Sequence, residues 1–140
     1  MTADEVKARL RRYNDLRHEC RKLRQEIERR RGDMEALHAV RTDALPGGRG
    51  NSLEEAVEKI DVLERRLQCL KHETDSSRAD VEKLIALADD EDGAAFMRLY
   101  FLDGVRFQDI ASKYIFRSRS SIYEHYRIAL EQVWTKINCQ

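Results

Sequence analysis

The residues best suited to chemistry in this 140-residue chain sit close together near its C-terminal end: Arg117, Ser118, Arg119, Ser120, Tyr123, Glu124 and Arg127. A guanidinium fork pairs with phosphate oxygens, and bidentately with guanine O6 and N7 in a major groove. Ser118 is a good helix N-cap, so the group reads as a turn followed by the first turns of a helix. The free N–H groups and dipole at such a helix start favour an anion. Tyr123 offers a ring that can stack on a base or meet a thymine methyl. Together these residues are suited to holding nucleic acid rather than to making or breaking bonds. The plain alternative is a solvated helix face.

Other chemistry finds less support. Cys69 and His72 lie three apart, so a helix would put both on one side, but a structural zinc needs four ligands and no convincing completion is found. Cys20, Cys69 and Cys139 form no close pair, which fits reduced thiols. Carboxylates are abundant but spread along helix faces, and no Ser/His/Asp or Cys/His set has supporting context. The stretch GGRGNS lacks a preceding strand and a closing Lys-Ser/Thr, so it is no phosphate loop. It reads as a hairpin tip, with Arg41 and Arg49 the residues there able to touch DNA or a partner. Neither an enzyme nor a cofactor nor a metal is expected.

The elements that position the arginines follow from apolar spacing. Phe96, Leu99, Tyr100 and Leu102 fit one face of a short helix, and Asp103-Gly104 is a turn signal. Phe107, Ile110, Ala111 and Tyr114 give a second short helix. A turn through Ile115, Phe116 and Arg117 precedes a longer helix with Ile122, Tyr126, Ala129, Leu130, Val133 and Ile137 inward. Short helix, tight turn and longer helix make a helix-turn-helix. Ala111 supplies the small residue where the helices cross, and Phe116 the apolar plug of the turn.

Upstream, the pattern changes. Nine of the ten aromatic residues follow residue 93, and only Tyr13 precedes it. Val6, Tyr13, Cys20, Ile27 and Met34 recur every seven residues, flanked by Leu10, Leu16, Leu23 and Leu37. Leu53, Ile60, Leu67, Thr74, Val81 and Ala88 do likewise, beside Ala56, Leu63, Leu70, Ser77 and Leu84. The break LPGGRGNS at 45–52 separates the two rows, with Ser52 and Glu55 placed as a capping box and DDEDG at 89–93 ending the second helix. Thr74 to Ser77 fits a kink, a polar layer or a frayed stretch. The chain thus reads as all-α: a long antiparallel, coiled-coil-like helical hairpin over 1–92 with its Gly-rich tip at 45–52, then a helix-turn-helix module over 93–140. Charge follows the same division. Lys and Arg against Asp and Glu number 13 to 9 over 1–52, 6 to 13 over 53–93 and 7 to 4 over 94–140, for a net charge of zero. No apolar run approaches the roughly 20 residues of a membrane span, and no apolar core follows the N-terminal charges as a signal peptide requires. A cytoplasmic protein is expected.

The run RLYFLDGVRFQDIASKYIFRSRSSIYEHYRIAL resembles region four of bacterial sigma factors, through Tyr100 to Gly104, Ile110-Ala111, Arg117 to Ser121, and Arg127 to Leu130. The whole chain is similar to small phage proteins of Gram-positive hosts that place a charged helical hairpin before a sigma-like module; SLEEAVEKIDVLE at 52–64 follows their form. Ile115 stands where that pattern commonly has Gly or Asn, and the turn is one residue longer. The resemblance implies a regulator of phage late or packaging genes in a bacterial host cell, reading double-stranded promoter DNA. The hairpin would then serve dimerisation or contact host RNA polymerase; a homodimer is favoured, because it doubles the phosphate contacts and accounts for the heptads. A second reading is a module that binds the polymerase in place of sigma region four without reading DNA. A third is a structural coiled-coil protein whose helix-turn-helix is only a fold.

Overall fold

In the computed structural model of the chain, residues 1–43, 50–115 and 117–139 are described, with the backbone alone at 38, 40–43 and 50–52. All regular structure among them is helical: α1 Ala3–Asp43, α2 Gly50–Ala86, α3 Glu91–Met97, α4 Phe107–Asp109 and α5 Arg119–Asn138. Phe116 and most of the tip at 45–52 lie outside the described residues. The two long helices have 41 and 37 residues, on the order of 60 and 55 Å at 1.5 Å per residue. Among the described residues no helix is long and apolar enough to cross a membrane.

The helix starts have local causes. Thr2 and Glu5 cap α1 reciprocally: the Glu5 N–H donates to Thr2 Oγ1 at 3.2 Å, and the Thr2 N–H to Glu5 Oε2 at 2.8 Å. α2 begins at Gly50, so Ser52, expected as its cap, lies inside the first turn. It ends at Ala86, and Glu91–Gly93 belong to α3. Asp90 caps α3 by accepting the Gly93 N–H at 2.8 Å. Thr74 to Ser77 continue α2 without interruption, with Ser77 buried.

The long helices bury part of the rows that the heptads pick out and half-bury the rest, and Ile85, outside those rows, is buried as well. Val6, Leu10, Tyr13, Leu16, Cys20 and Ile27 are buried on α1, and Ile60, Val81, Leu84 and Ile85 on α2. Packing divides the chain into two compact units. One comprises Met1–Leu16 and Thr74–Gln140. Its core joins Val6, Leu10 and Tyr13 to Val81, Leu84, Ile85, Phe96, Met97, Phe101, Ile110, Ile122, Ala129 and Val133. The other comprises Arg17–Glu73. Among its described residues only Cys20, Ile27 and Ile60 are buried, and Leu23, Leu63, Leu67 and Leu70 stay half-buried.

Two π-helical turns, each closed by i→i−5 hydrogen bonds, shape the C-terminal part. Residues 98–102 form the first, with the Asp103 N–H on the Arg98 carbonyl at 3.1 Å. Residues 110–114 form the second, with the Ile115 N–H on the Ile110 carbonyl at 3.0 Å. A π-turn places one extra residue in the turn, so the side chains within and after it depart from an ordinary helical phase. Two expectations fail for this reason. Tyr100 and Tyr114, read as inward, are exposed, while Phe101 is buried. The second turn also takes up the extra residue between Ala111 and Ile122. Ile115 therefore keeps a right-handed conformation, with φ −106 and ψ −15, and needs no Gly or Asn. Gly104 has φ 70, where a side chain would be strained.

Candidate nucleic-acid interface

α5 is held from inside by a close approach. A Cβ at Gly93 would fall 2.5 Å from the Ala129 Cβ and nearer still to the His125 carbonyl oxygen, so α3 meets α5 where neither helix carries bulk. Around this point the polar face of α5 grips the segment before α3. Gln132 Oε1 accepts the N–H groups of Asp89 and Asp90 at 2.8 and 2.9 Å. Lys136 reaches Asp89 at 2.7 Å, and His125 Nδ1 lies 2.9 Å from Asp90 Oδ2. Ile122, Ala129, Leu130 and Val133 fill the apolar side of α5, with Tyr126 and Ile137 half-buried beside them.

With that side fixed, the other faces solvent. Arg117, Ser118, Arg119, Ser120, Tyr123, Glu124 and Arg127 are all exposed, Tyr123 by 57%. Ser118 caps α5 as its sequence predicts, accepting the Ser121 N–H at 3.2 Å; its hydroxyl also lies 3.3 Å from that of Ser120. Arg119, Tyr123 and Arg127 are four apart and form one stripe. A groove of about 390 Å³ runs beside the helix start, lined by Gln108, Asp109, Ser112, Arg117, Ser118 and Arg119 among others.

The cations are not equally available. Arg117 pairs with Asp92 at 2.7 Å. Arg127 pairs with Glu124 at 2.6 Å, an exposed pair in which the guanidinium holds the Glu124 carboxyl below its ordinary range. Arg119 donates to the Gln108 amide oxygen at 3.5 Å, and among the described residues it has no carboxylate partner. It is the cation most open to an incoming phosphate.

Sequence reasoning missed the acidic segment behind this surface. Asp90 and Asp92 orient His125 and Arg117, His125 Nε2 lying 3.9 Å from Asp92. The spacing of Asp90 and Gly93, an N-cap three residues ahead of a helical N–H, was the available signal. Trp134 is 38% exposed and donates its indole N–H to the Met1 carbonyl at 2.9 Å. Cys69 and His72 are both exposed, and no three His, Cys, Asp or Glu side chains gather as a metal site among the described residues. Compared with protein-family models, with curated proteins and with solved structures, the chain matches none.

Proposed function

We propose that this chain is a DNA-binding transcription regulator in which α4, the turn after it and α5 act as a helix-turn-helix. α5 enters the major groove, and Arg117, Ser118, Arg119, Ser120, Tyr123, Glu124 and Arg127 face the duplex. The observation that carries the reading is the two-sidedness of α5: one side is locked onto α3 through Gly93 and Ala129, while all seven residues lie exposed about its start. A helix N-terminus with an unpaired guanidinium is suited to a phosphate.

The resemblance to sigma region four and to small phage proteins directs the proposal to promoters of phage late or packaging genes. α1 and α2 make the antiparallel hairpin: Arg9 bonds Asp80, and Tyr13, further along α1, accepts from Arg78, earlier in α2, at 3.4 Å. A homodimer through the hairpin is supported by the half-buried leucines of the Arg17–Glu73 unit and its exposed Val57 and Val62. Dimerisation doubles the phosphate contacts of a weakly basic module.

One observation favours the second reading, a polymerase-binding module that leaves DNA unread. Two of the three arginines are already paired with acids. The test is binding of the purified protein to fragments of its own genome at low and high salt, with and without bacterial RNA polymerase. The proposal expects one fragment to be retained without polymerase, less so at high salt, and lost in Arg119→Ala. Polymerase binding that survives Arg119→Ala, without DNA binding, establishes the second reading instead.

A further inference from the structure

One of the arginines at the start of α5 is neutralised from outside its own helix. Arg117 Nη2 lies 2.7 Å from Asp92 Oδ2, with both side chains partly in solvent. The two partners are not equally fixed. Asp92 stands in the first turn of α3, and that turn is anchored in three ways. Asp90 caps it through the Gly93 N–H, Gln132 holds the N–H groups of Asp89 and Asp90, and Gly93 is pressed against α5 at Ala129. Arg117 is anchored by its backbone, whose N–H donates to the Ala111 carbonyl at 3.2 Å, and its long side chain can rotate about that anchor. An exchange of partners therefore runs through a swing of the arginine, while the carboxylate stays in place. His125 Nε2, 3.9 Å from the same Asp92 oxygen, remains beside that carboxylate when the arginine leaves. Arg127 and Glu124 lack this arrangement, because both ride on α5.

The pair is not what holds the turn. A half-exposed ion pair adds little stability, and the start of α5 already has the Ser118 cap and the Arg117 N–H bond. What the pair does change is the charge presented to a ligand. With Asp92 in place, Arg117 and its partner bring no net charge, and Arg119 is left as the cation without a carboxylate partner among the described residues. Resting on the duplex reading of α5, we propose that Asp92 is an internal stand-in for phosphate: an autoinhibitory contact that masks Arg117 in the free protein and yields it to the backbone of a DNA duplex. Carboxylate and phosphate oxygens both accept from a guanidinium, so one replaces the other, and the attraction given up to Asp92 is subtracted from the attraction gained.

The test is fluorescence anisotropy of a labelled, mixed-sequence duplex of about 20 base pairs at low salt, since a phosphate contact needs no particular sequence. The wild-type chain is compared with Asp92→Asn, with Arg117→Ala and with the two changes together, each checked for its unfolding transition. The mask predicts that Asp92→Asn binds about two- to fivefold more tightly, the range an exposed ion pair allows, and that Arg117→Ala abolishes this gain. Binding by Asp92→Asn alone, with none by the wild type, upholds it as a complete mask. A gain of equal size in the Arg117→Ala chain overturns it, because the carboxylate then acts by plain repulsion of the duplex. Equal affinity of wild type and Asp92→Asn overturns the mask and leaves the duplex reading standing. Duplex binding by none of these chains removes both. Should Asp92→Asn fail to fold, Asp92→Ser, which also removes the charge, carries the same comparison.

Discussion

The two compact units are built from the same two long helices and are stabilised differently. In the unit of Met1–Leu16 and Thr74–Gln140, short helices close over the helix ends, and Phe96, Phe101, Leu10, Ile85 and Met97 are almost wholly buried. In the Arg17–Glu73 unit only Cys20, Ile27 and Ile60 reach that state among the described residues. The rest of the apolar row is half-covered, and ion pairs such as Arg31 with Glu64 and Glu26 with Arg29 and Arg30 line the surface. Two helices alone can bury one stripe each; a third layer makes an interior. A defined binding face needs such an interior behind it, which is why the candidate site lies on the first unit.

Mutations in matched pairs sharpen the contrast. Phe101→Ala in the first unit should cost about 3–5 kcal/mol in urea unfolding, whereas Leu63→Ala, half-buried in the second, should cost roughly half as much or less because less apolar surface leaves contact. Similar losses would show that the second unit has an interior too. Glycine gives an opposite-sign comparison. Gly93→Ala forces α3 off α5 and should destabilise by about 1–3 kcal/mol. Gly32, with nothing within 4 Å of an added Cβ, should stabilise on change to Ala by about 0.5–1 kcal/mol through helix propensity. A thermal melt of each variant decides the sign.

Smaller effects follow at the helix start and the surface. Ser118→Ala removes the α5 cap and should cost about 1 kcal/mol, seen in hydrogen exchange of the first α5 turn. Arg31→Ala should change stability by no more than about 1 kcal/mol, since Arg31 and Glu64 are both half in solvent, and added salt should shrink the difference. The subtlest test is titration. Burial raises the Tyr126 phenol above its ordinary value. The unfolded chain then loses this proton first, so folding stability is intact below pH ~10 and declines as pH rises toward the folded value. Ultraviolet titration of wild type against Tyr126→Phe should find one phenol ionising late.

Legibility in the sequence divides at the π-turns. Where ordinary helical phase holds, apolar spacing located the structure: the Ser118 cap and the buried side of α5 from Ile122 to Val133 lie as read. Where one residue is inserted per turn, phase fails. Tyr100 and Tyr114 emerged on the outside and Phe101 took the inside, because the i→i−5 bonds that rotate them leave no mark in composition. The heptads marked the covered side of α1 and α2, though half of that side is only partly buried and Ile85 was not in it; nor did they show that Val6, Leu10, Val81, Leu84 and Ile85 share a core with the aromatic C-terminal helices. That sharing is a long-range contact, to which periodicity is blind. The seven candidate contact residues were legible by type and position; their ion pairs with Asp92 and within α5 were not, since they depend on α3 standing next to the α5 start.

The most direct test of α5 as a DNA-reading helix is the salt dependence of duplex binding for the wild-type chain and for Arg119→Ala. The logarithm of the binding constant should fall linearly with the logarithm of salt concentration, and the slope should be smaller by about one in the variant, the mark of one lost phosphate contact. An unchanged slope with unchanged affinity would contradict the account, because it would remove the most available cation of the helix from the DNA.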